Sequence, residues 1–321
     1  MKNSNHSFGK ALLFGVYVLT FAAATLAALK LFVHAAEDDT DSTYKAEMKE
    51  NFTNYLPVIP EKLDFCGERV PLEYFDVRES LERELIKVMY WHSETFLYLK
   101  RMKRFFPVIS KILKNNNIPQ DFFYLCVAES GMENVVSPAK AVGFWQLLES
   151  TGKENGLEIN SEVDERYDLE KSTEAACRFL RQAFPKFGNW TMVAAAYNCG
   201  QNGAQKLVRN QGEKSYYDLR HNPETGRYVY RILAYKLLLS RPEDYGFVFR
   251  EKDLYPVIET ETVEVDTAIT NLYAFAKQVA GNYKMLKLLN PWLRDTKLSN
   301  RDGKVYKIKV LKEGGRQNVY N

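Results

Sequence analysis

One carboxylate in this sequence stands where an acid catalyst would be expected. Glu129 follows the short apolar segment Phe122–Val127 and is followed directly by Ser130 and Gly131. If the segment is a helix, the negative end of the helix dipole and the surrounding apolar side chains both disfavour the charged carboxylate. We therefore expect a raised pKa at Glu129. A carboxylic acid that is still protonated near neutral pH can donate its proton to a glycosidic oxygen and later act as a base.

Other titratable residues could take part in the same chemistry. Glu133 lies four residues further along, in a predicted loop, where water would keep its carboxylate charged. His92 falls on the apolar stripe of a predicted helix, and we interpret it as a core residue rather than a base. Asp164 and Glu165 belong to a charged connection that could approach the same cleft, so a second carboxylate beside Glu129 stays open.

Residues 76 to 242 have the apolar spacing of helices, so the fold class is predicted to be mainly α. A long helix is predicted from Asp76 to Phe106, ended by Pro107, and a second from Pro107 to Asn115. The helix that carries Glu129 is predicted from Asp121 to Ser130, with Gly131 after its end. Further helices are predicted over 145–154, over 190–197 and from 224 or 225 to 241. Another is predicted to contain Ala176, Phe179, Leu180, Ala183 and Phe184 and to end at Pro185. The basic cluster Lys100, Arg101, Lys103 and Arg104 is predicted to form a solvated face.

Composition and cysteine spacing limit the classes of partner. The chain has 321 residues and a net charge of +3 from 44 basic and 41 acidic residues, a balance that gives no support to a nucleic-acid partner. Cys66, Cys126, Cys177 and Cys199 show no C-x-x-C spacing and no matching histidine pairs, so zinc is not expected. No metal or organic cofactor is called for. An even count would permit disulfides in an oxidising compartment, although the apolar settings of the last three favour buried thiols.

The first residues predict export. Lys2 and Lys10 precede an uncharged run from Ala11 to Leu29, and small residues follow it. We interpret residues 1–36 as a signal peptide or an uncleaved N-terminal membrane anchor, and both readings export everything after Glu37. The chain is polar and acid-leaning from Glu37 to about Pro60, a stretch that we interpret as a tether, and the linker is predicted over residues 37–75.

Beyond Tyr255 the pattern changes to strand, helix, helix, strand. The strands are predicted over Glu259–Val265 and Val305–Leu311, and the helices over Thr267–Ala280 and Tyr283–Leu289. This order predicts a separate small domain over residues 255–315.

Five short motifs appear in a fixed order between residues 80 and 242. They are Glu129-Ser130, Gly143-Phe144-Trp145-Gln146, the stretch 163–176, Ala195-Ala196-Tyr197-Asn198-Cys199-Gly200 and Glu224-Thr225-Gly226-Arg227-Tyr228-Val229. Together they closely resemble the soluble lytic transglycosylase family of peptidoglycan-cleaving enzymes, in its membrane-bound type D branch. The resemblance implies a lysozyme-like helical catalytic domain, predicted over residues 76–250.

In that family one glutamate, which maps onto Glu129, acts as both acid and base. It protonates the oxygen that links N-acetylmuramic acid to N-acetylglucosamine, and the muramoyl C6 hydroxyl then closes a 1,6-anhydro ring without water. Hydrolases generally need a second carboxylate. A muramidase that hydrolyses the same bond and a non-catalytic cell-wall-binding protein are the alternatives.

The resemblance also implies roles for other residues. Ser130 would order the helix end, Gln146 would bind an N-acetyl group or a sugar hydroxyl, Tyr197 and Asn198 would face the acid, and Tyr228 would lie near it. Trp145 is predicted to be either a core aromatic or a platform for a sugar. Cys199 stands where the family usually has Ala or Ser, and the loop after Glu129 is slightly short, so loop shape and substrate register are in doubt.

The C-terminal segment 262–311 is similar to a LysM repeat, which binds glycans that contain N-acetylglucosamine. The residues that carry the similarity are Leu272–Ala276, Leu288–Pro291 and Val305–Ile308. A divergent LysM-like βααβ domain is predicted, with a purely structural packing domain as the alternative. Peptidoglycan strands are the expected partner.

Overall fold

The computed structural model describes residues 55–317. The predicted signal or anchor segment, 1–36, lies outside them, as does the first part of the predicted linker. Within 55–317 no helix is both long enough and apolar enough to span a bilayer.

Helices dominate the described chain up to residue 240, as predicted. They are α1 (Phe75–Tyr90), α2 (His92–Asn115), α3 (Phe122–Ser130), α4 (Glu149–Glu154), α5 (Leu169–Phe187), α6 (Trp190–Cys199), α7 (Gln201–Gln211) and α8 (Thr225–Ser240). Helix α8 is central, because α1, α3 and α6 all pack against it. Its residues Val229, Leu233 and Ala234 are fully buried. This apolar centre fixes the position of the short helix α3.

The first long helix does not end where the sequence predicts. Trp91 interrupts it, with φ −90° and ψ 57°, and α2 begins at the next residue. The Thr95 hydroxyl donates to the carbonyl of Val88 across the break, at 2.7 Å. Pro107 lies inside α2, and Pro185 likewise lies inside α5. An interior proline costs a helical hydrogen bond, and burial of the flanking turns, such as Ile109 beside Pro107, offsets that cost.

The end of the predicted linker is part of the folded body. A two-stranded hairpin joins β1 (Asp64–Phe65) to β2 (Glu68–Arg69). Phe65 is fully buried and packs edge-on against Phe122 of α3, with ring centroids 5.5 Å apart. The linker prediction is therefore wrong for residues 59–72, where Ile59, Phe65, Val70 and Leu72 are part of the core.

The predicted βααβ order is present at the C-terminal end. Strands β3 (Thr260–Val265) and β4 (Tyr306–Leu311) pair in antiparallel fashion and enclose α9 (Leu272–Val279) and α10 (Tyr283–Leu289). This domain is not separate, because Val163 of the helical body lies in its apolar core, 1% exposed.

Hydrogen bonds continue the contact between the two domains. The backbone N–H of Asp164 donates to the carbonyl of Trp292 at 2.9 Å, and that of Arg294 donates to the carbonyl of Glu162 at 2.7 Å. The Glu162 carboxylate accepts from both the backbone and the hydroxyl of Ser299, at 2.6 and 2.7 Å. The segment 158–168 is thereby fixed on its C-terminal-domain side.

The basic cluster on α2 is not a free solvated face. Lys100 and Arg104 lie over the ring of Tyr255, 4.8 and 5.3 Å from its centroid. Arg104 also donates to the carbonyl of Pro256 at 2.9 Å. These side chains hold the connection between the two domains against α2. The contacting residues are about 150 positions apart in the sequence, so local periodicity does not predict the contact.

Candidate active site

Glu129 is the second-last residue of α3, and the end of that helix is tightly determined. Gly131 follows in the left-handed conformation, φ 59°, and a Cβ there would lie 2.6 Å from the ring of Tyr98. Arg101 donates to the carbonyl of Gly131 at 3.1 Å. Glycine is therefore required at 131, both for its backbone angle and for space, and Glu129 is held at a fixed helix end.

The environment of Glu129 favours its protonated form, as predicted. Burial raises the pKa of Glu129 to about 7. A hydrogen bond from the Tyr228 hydroxyl and the nearby positive charge of Arg231 both lower that pKa, while the charge of Glu224 raises it. The dominant effect is desolvation of the charged carboxylate. The side chain can thus exist as acid or as base near neutral pH.

Ser130 joins the end of α3 to the turn Gly143–Gln146. Its hydroxyl donates to the carbonyl of Phe144 at 2.8 Å and accepts from the backbone N–H of Met132 at 3.2 Å. These bonds connect the end of α3 to the turn and to the first residues after it.

Gln146 closes the loop between residues 132 and 147. Its side-chain Nε2 donates to the carbonyls of Gly143 and Val135, at 2.8 and 3.0 Å, and its backbone is in the left-handed region with φ 47°. The amide N–H groups of Gln146 therefore shape the loop, and its carbonyl oxygen is the group it could offer to a sugar.

A buried ion pair supports the same loop from behind. Arg166 pairs with Asp164, with Nε and Nη2 at 2.9 and 2.7 Å from its oxygens, and Nη1 donates to the carbonyls of Lys140 and Leu147 at 3.3 Å. The carbonyl of Arg166 lies so close to Gly143 that a Cβ there would be 2.1 Å away. The loop thus rests on the segment that the C-terminal domain also contacts.

Tyr197 and Asn198 lie at the end of α6, between the loop and α8. The Tyr197 hydroxyl donates to the carbonyl of Trp145 at 2.6 Å. Burial and the negative charge of Glu129 both raise the pKa of Tyr197. Asn198 accepts from the hydroxyl of Thr225 at 2.8 Å and so holds the start of α8, which carries Tyr228.

Trp145 is a core residue. It is fully buried, and its indole N–H donates to the hydroxyl of Thr173 at 2.8 Å. Of the two predicted roles, the sugar platform is wrong, because no face of this ring is open to a ligand.

A cavity of about 750 Å³ opens beside Glu129. Gln146, Tyr197 and Asn198 are not among the residues that line it. Its walls come mainly from α1, α2, α3 and α8, together with Trp91 between α1 and α2 and with Gly131 and Val135 after α3. The charged residues that line it are Glu84, Lys87, Glu94, Glu129, Arg227 and Arg231. Sequence reasoning missed this wall. Two local features of the sequence indicate this wall. The run Tyr90-Trp91-His92 is too bulky for one buried stripe of a helix, and Arg231 follows Tyr228 by three residues and so lies on the same helix face.

The other acid and base candidates are engaged elsewhere. His92 is exposed rather than buried, so its predicted core position is wrong; its ring lies 5.8 Å from that of Phe247. Glu133 pairs with Arg101. Asp164 is bound to Arg166, and Glu165 accepts from the backbone N–H of Glu158 at 2.8 Å and pairs with Lys171. Neither Asp164 nor Glu165 lines the cavity.

All four cysteines lie in the described range and none is in a disulfide. Cys126 and Cys177 are buried, as predicted, whereas Cys199 is half-buried. Burial raises the pKa of the Cys177 thiol to about 12, so this thiol is not a nucleophile at neutral pH. Residues 55–317 contain no group of three or more His, Cys, Asp or Glu side chains that could hold a metal ion.

Two family models match this chain. Residues 106–219 match the transglycosylase SLT domain, and residues 261–314 match the soluble lytic transglycosylase C-terminal LysM-like domain. The predicted resemblance and the predicted fold class are thereby confirmed. The first match includes Glu129 and Gln146 and ends before the motif that contains Tyr228.

Individual relatives agree with these matches. Membrane-bound lytic murein transglycosylase D of Escherichia coli (strain K12) is 29% identical over 191 residues, which are 57% of this chain and 41% of that protein. A putative tributyltin chloride resistance protein of Alteromonas sp. (strain M-1) is 26% identical over 129 residues, 40% of this chain and 62% of that protein. The chain thus spans less than half the length of the first relative.

Among solved structures, that of an inactive mutant of lytic transglycosylase Slt from Pseudomonas aeruginosa aligns with a TM-score of 0.35 and 22% identity, over 43% of this chain and 24% of that one.

Proposed function

We propose that this chain, which contains a transglycosylase SLT domain followed by a LysM-like domain, is an exported peptidoglycan lytic transglycosylase with Glu129 as its single acid and base. The observation that carries the proposal is the state of Glu129. It is desolvated at the end of α3, its pKa is raised to about 7, and a 750 Å³ cavity opens beside it. A group in that state can give and take a proton at neutral pH.

The proposed reaction uses Glu129 twice. Its carboxylic acid first protonates the oxygen between N-acetylmuramic acid and N-acetylglucosamine, which leaves with its bond electrons. The resulting carboxylate then takes the proton of the muramoyl C6 hydroxyl, whose oxygen bonds to C1 and closes the 1,6-anhydro ring. Glu129 is protonated again and no water is consumed. The Tyr228 hydroxyl, which donates to the carboxylate, would stabilise its charged form between the two steps.

The positions of the other carboxylates support this scheme over hydrolysis, which generally needs a second carboxylate for the nucleophile or the water. Asp164 and Glu165 are bound to other residues, and Glu84 is paired with Arg227 at 2.7 Å. Glu94 lines the cavity and has no ion-pair partner among residues 55–317. It is therefore the residue on which the muramidase alternative would depend.

Digestion of purified peptidoglycan tests the proposal. The full chain, Glu129→Gln and Glu94→Gln are incubated with it, and the released muropeptides are weighed. We expect products lighter by one water than hydrolytic ones from the parent and from Glu94→Gln, and at least about a hundredfold less release by Glu129→Gln. Reducing-end products that need Glu94 would establish a muramidase. No release by any of the three would leave a wall-binding protein.

Export to the periplasm, free or with a membrane anchor, is part of the proposal and is supported by the sequence pattern of residues 1–36. Fractionation of cells that express the chain, with and without residues 1–36, tests it. Equal amounts of both forms in the cytoplasm would contradict export.

A further inference from the structure

The cavity beside Glu129 contains charges that a neutral sugar does not need. We infer that it binds the short peptide attached to the muramoyl residue, with Arg231 and Lys87 facing the peptide's carboxylates and Trp91 covering its apolar part. This inference rests on the proposed function and goes beyond it, because it says which part of the substrate occupies this wall and which residues select it.

The charged groups of the cavity fall into two sets. Glu84 is 2% exposed and accepts two hydrogen bonds from Arg227, at 2.7 and 3.1 Å, and one from Arg83, at 3.1 Å. Its charge is therefore balanced without Lys87 or Arg231. Lys87 and Arg231 line the cavity and have no ion-pair partner among the described residues. Glu129 does not neutralise Arg231 fully, because burial holds much of Glu129 in its uncharged form. Two cations thus remain for a ligand.

The remaining anion of the cavity is Glu94. Two unpaired cations and one unpaired carboxylate complement a ligand that carries carboxylates and a free amine. The peptides of peptidoglycan have that composition in the many forms whose third residue is a diamino acid. A guanidinium such as that of Arg231 binds a carboxylate through two parallel hydrogen bonds, which adds orientation to attraction.

The apolar part of the wall is exposed in the absence of a ligand. Trp91 is 57% exposed and Val135 is 39% exposed, and both line the cavity. The helix break at Trp91 turns this indole out of the core. A short peptide with alanine methyl groups would cover such a surface. A cavity of 750 Å³ also lies within the range of about 300–1,000 Å³ that is usual for ligand sites.

Binding tests the inference without depending on turnover. The probe is a soluble disaccharide-tetrapeptide, used with its carboxylates free or converted to amides by carbodiimide and ammonia. The protein is Glu129→Gln, alone or combined with Arg231→Gln. We expect the free form to bind roughly tenfold more tightly than the amidated form, and Arg231→Gln to remove most of that preference. Arg209→Gln, a change of the same kind on the exposed side of α7, is the matched control and should keep the preference.

Several results would overturn the inference. One is equal binding of the two probe forms to the Glu129→Gln protein. Others are an unchanged preference in the Arg231→Gln combination and a lack of binding by either form.

Digestion of intact and carboxyl-amidated peptidoglycan separates this inference from the proposed function. If the parent cleaves both preparations to anhydro products at the same rate, the proposed function stands and the peptide site is wrong. If the parent cleaves neither but binds the free probe through Arg231, the peptide site stands and the proposed function is wrong.

Discussion

Two walls meet at Glu129 and differ in what their polar groups do. The loop wall, residues 132–147, is closed by its own hydrogen bonds through Gln146 and by the Arg166 pair behind it. The helical wall, made by α1, α2 and α8, leaves Trp91, Lys87 and Arg231 open to a cavity. The family motifs include the turn Gly143–Gln146 of the first wall and miss most of the second.

The difference teaches that a motif residue near Glu129 can act on the shape of the site rather than on a ligand. Ser130, Tyr197 and Gln146 all donate to backbone carbonyls, so part of each role is to shape the site. The groups that are free for a ligand lie on the helical wall. Variants of the loop wall should therefore change stability first, and variants of the helical wall should change rate or binding first.

The largest effect is expected at Arg166. Arg166→Gln leaves the buried carboxylate of Asp164 without its partner and frees two loop carbonyls, which should lower the free energy of unfolding by about 3–5 kcal/mol. Glu84→Gln breaks an ion pair on the helical wall, but 37% of the Arg227 side chain is exposed to water. The free energy of unfolding should therefore fall less in Glu84→Gln than in Arg166→Gln. Urea unfolding of both variants measures this. A larger loss in Glu84→Gln would reverse the comparison.

Glu129 itself should destabilise the folded protein above neutral pH. Its pKa is about 7 in the folded state against an ordinary 4.5, so the folded state binds more protons between these values and loses stability as the pH rises from 4.5 to 7. Above pH 7, Glu129→Gln should be more stable than the parent by up to about 3 kcal/mol, whereas at pH 4 the two should agree. Thermal unfolding at pH 4 and pH 8 gives the comparison, and an equal difference at both values would contradict the assignment.

Gly143 tests how closely the loop wall is packed. Gly143→Ala must place a Cβ 2.1 Å from the carbonyl of Arg166 in a left-handed backbone with φ 82°, so it should cost at least about 2 kcal/mol of stability and most of the activity. Gly203→Ala is the matched control, because its Cβ would meet nothing within 4 Å inside helix α7. It should be neutral or slightly stabilising. Similar unfolding midpoints for the two variants would show that the loop moves freely.

The smallest effect separates two tyrosines. Tyr228→Phe removes a hydrogen bond that lowers the pKa of Glu129, so the pH above which activity falls should move upward, by less than about one pH unit. Tyr197→Phe removes a bond to the carbonyl of Trp145 and should cost about 1 kcal/mol of stability without moving that pH. The cleavage rate of both variants is measured as a function of pH. If the pH above which activity falls is lower in Tyr228→Phe than in the parent, the assigned role of the hydroxyl is contradicted.

Local patterns allowed much of the fold to be predicted. The helix that carries Glu129 and the βααβ order of the C-terminal domain follow from apolar spacing and from Gly131, which act over a few residues. Pro107 and Pro185 misled the prediction, because tertiary packing outweighs the helix-breaking tendency of an interior proline. The break at Trp91 has no glycine or proline to mark it.

The helical wall could not be predicted for a related reason. Glu84 and Arg227 are 143 positions apart, and neither residue has an unusual neighbour that would identify it as half of a buried pair. Val163 begins the predicted charged connection 163–168, and its side chain lies in the core of the C-terminal domain. Contacts of this kind depend on which surfaces the finished fold brings together, and no periodicity within one segment encodes them.

The position of Val163 in that core also bears on how the protein is made. Val163 leaves the ribosome long before Leu293, with which it pairs, so the helical body emerges with an apolar side chain and the backbone groups of residues 162–164 uncovered. Only the last part of the chain covers them. A nascent chain stalled before residue 293 therefore exposes the apolar side chain of Val163 and unpaired backbone groups, which a chaperone or protease can recognise. Completion of the C-terminal domain buries both.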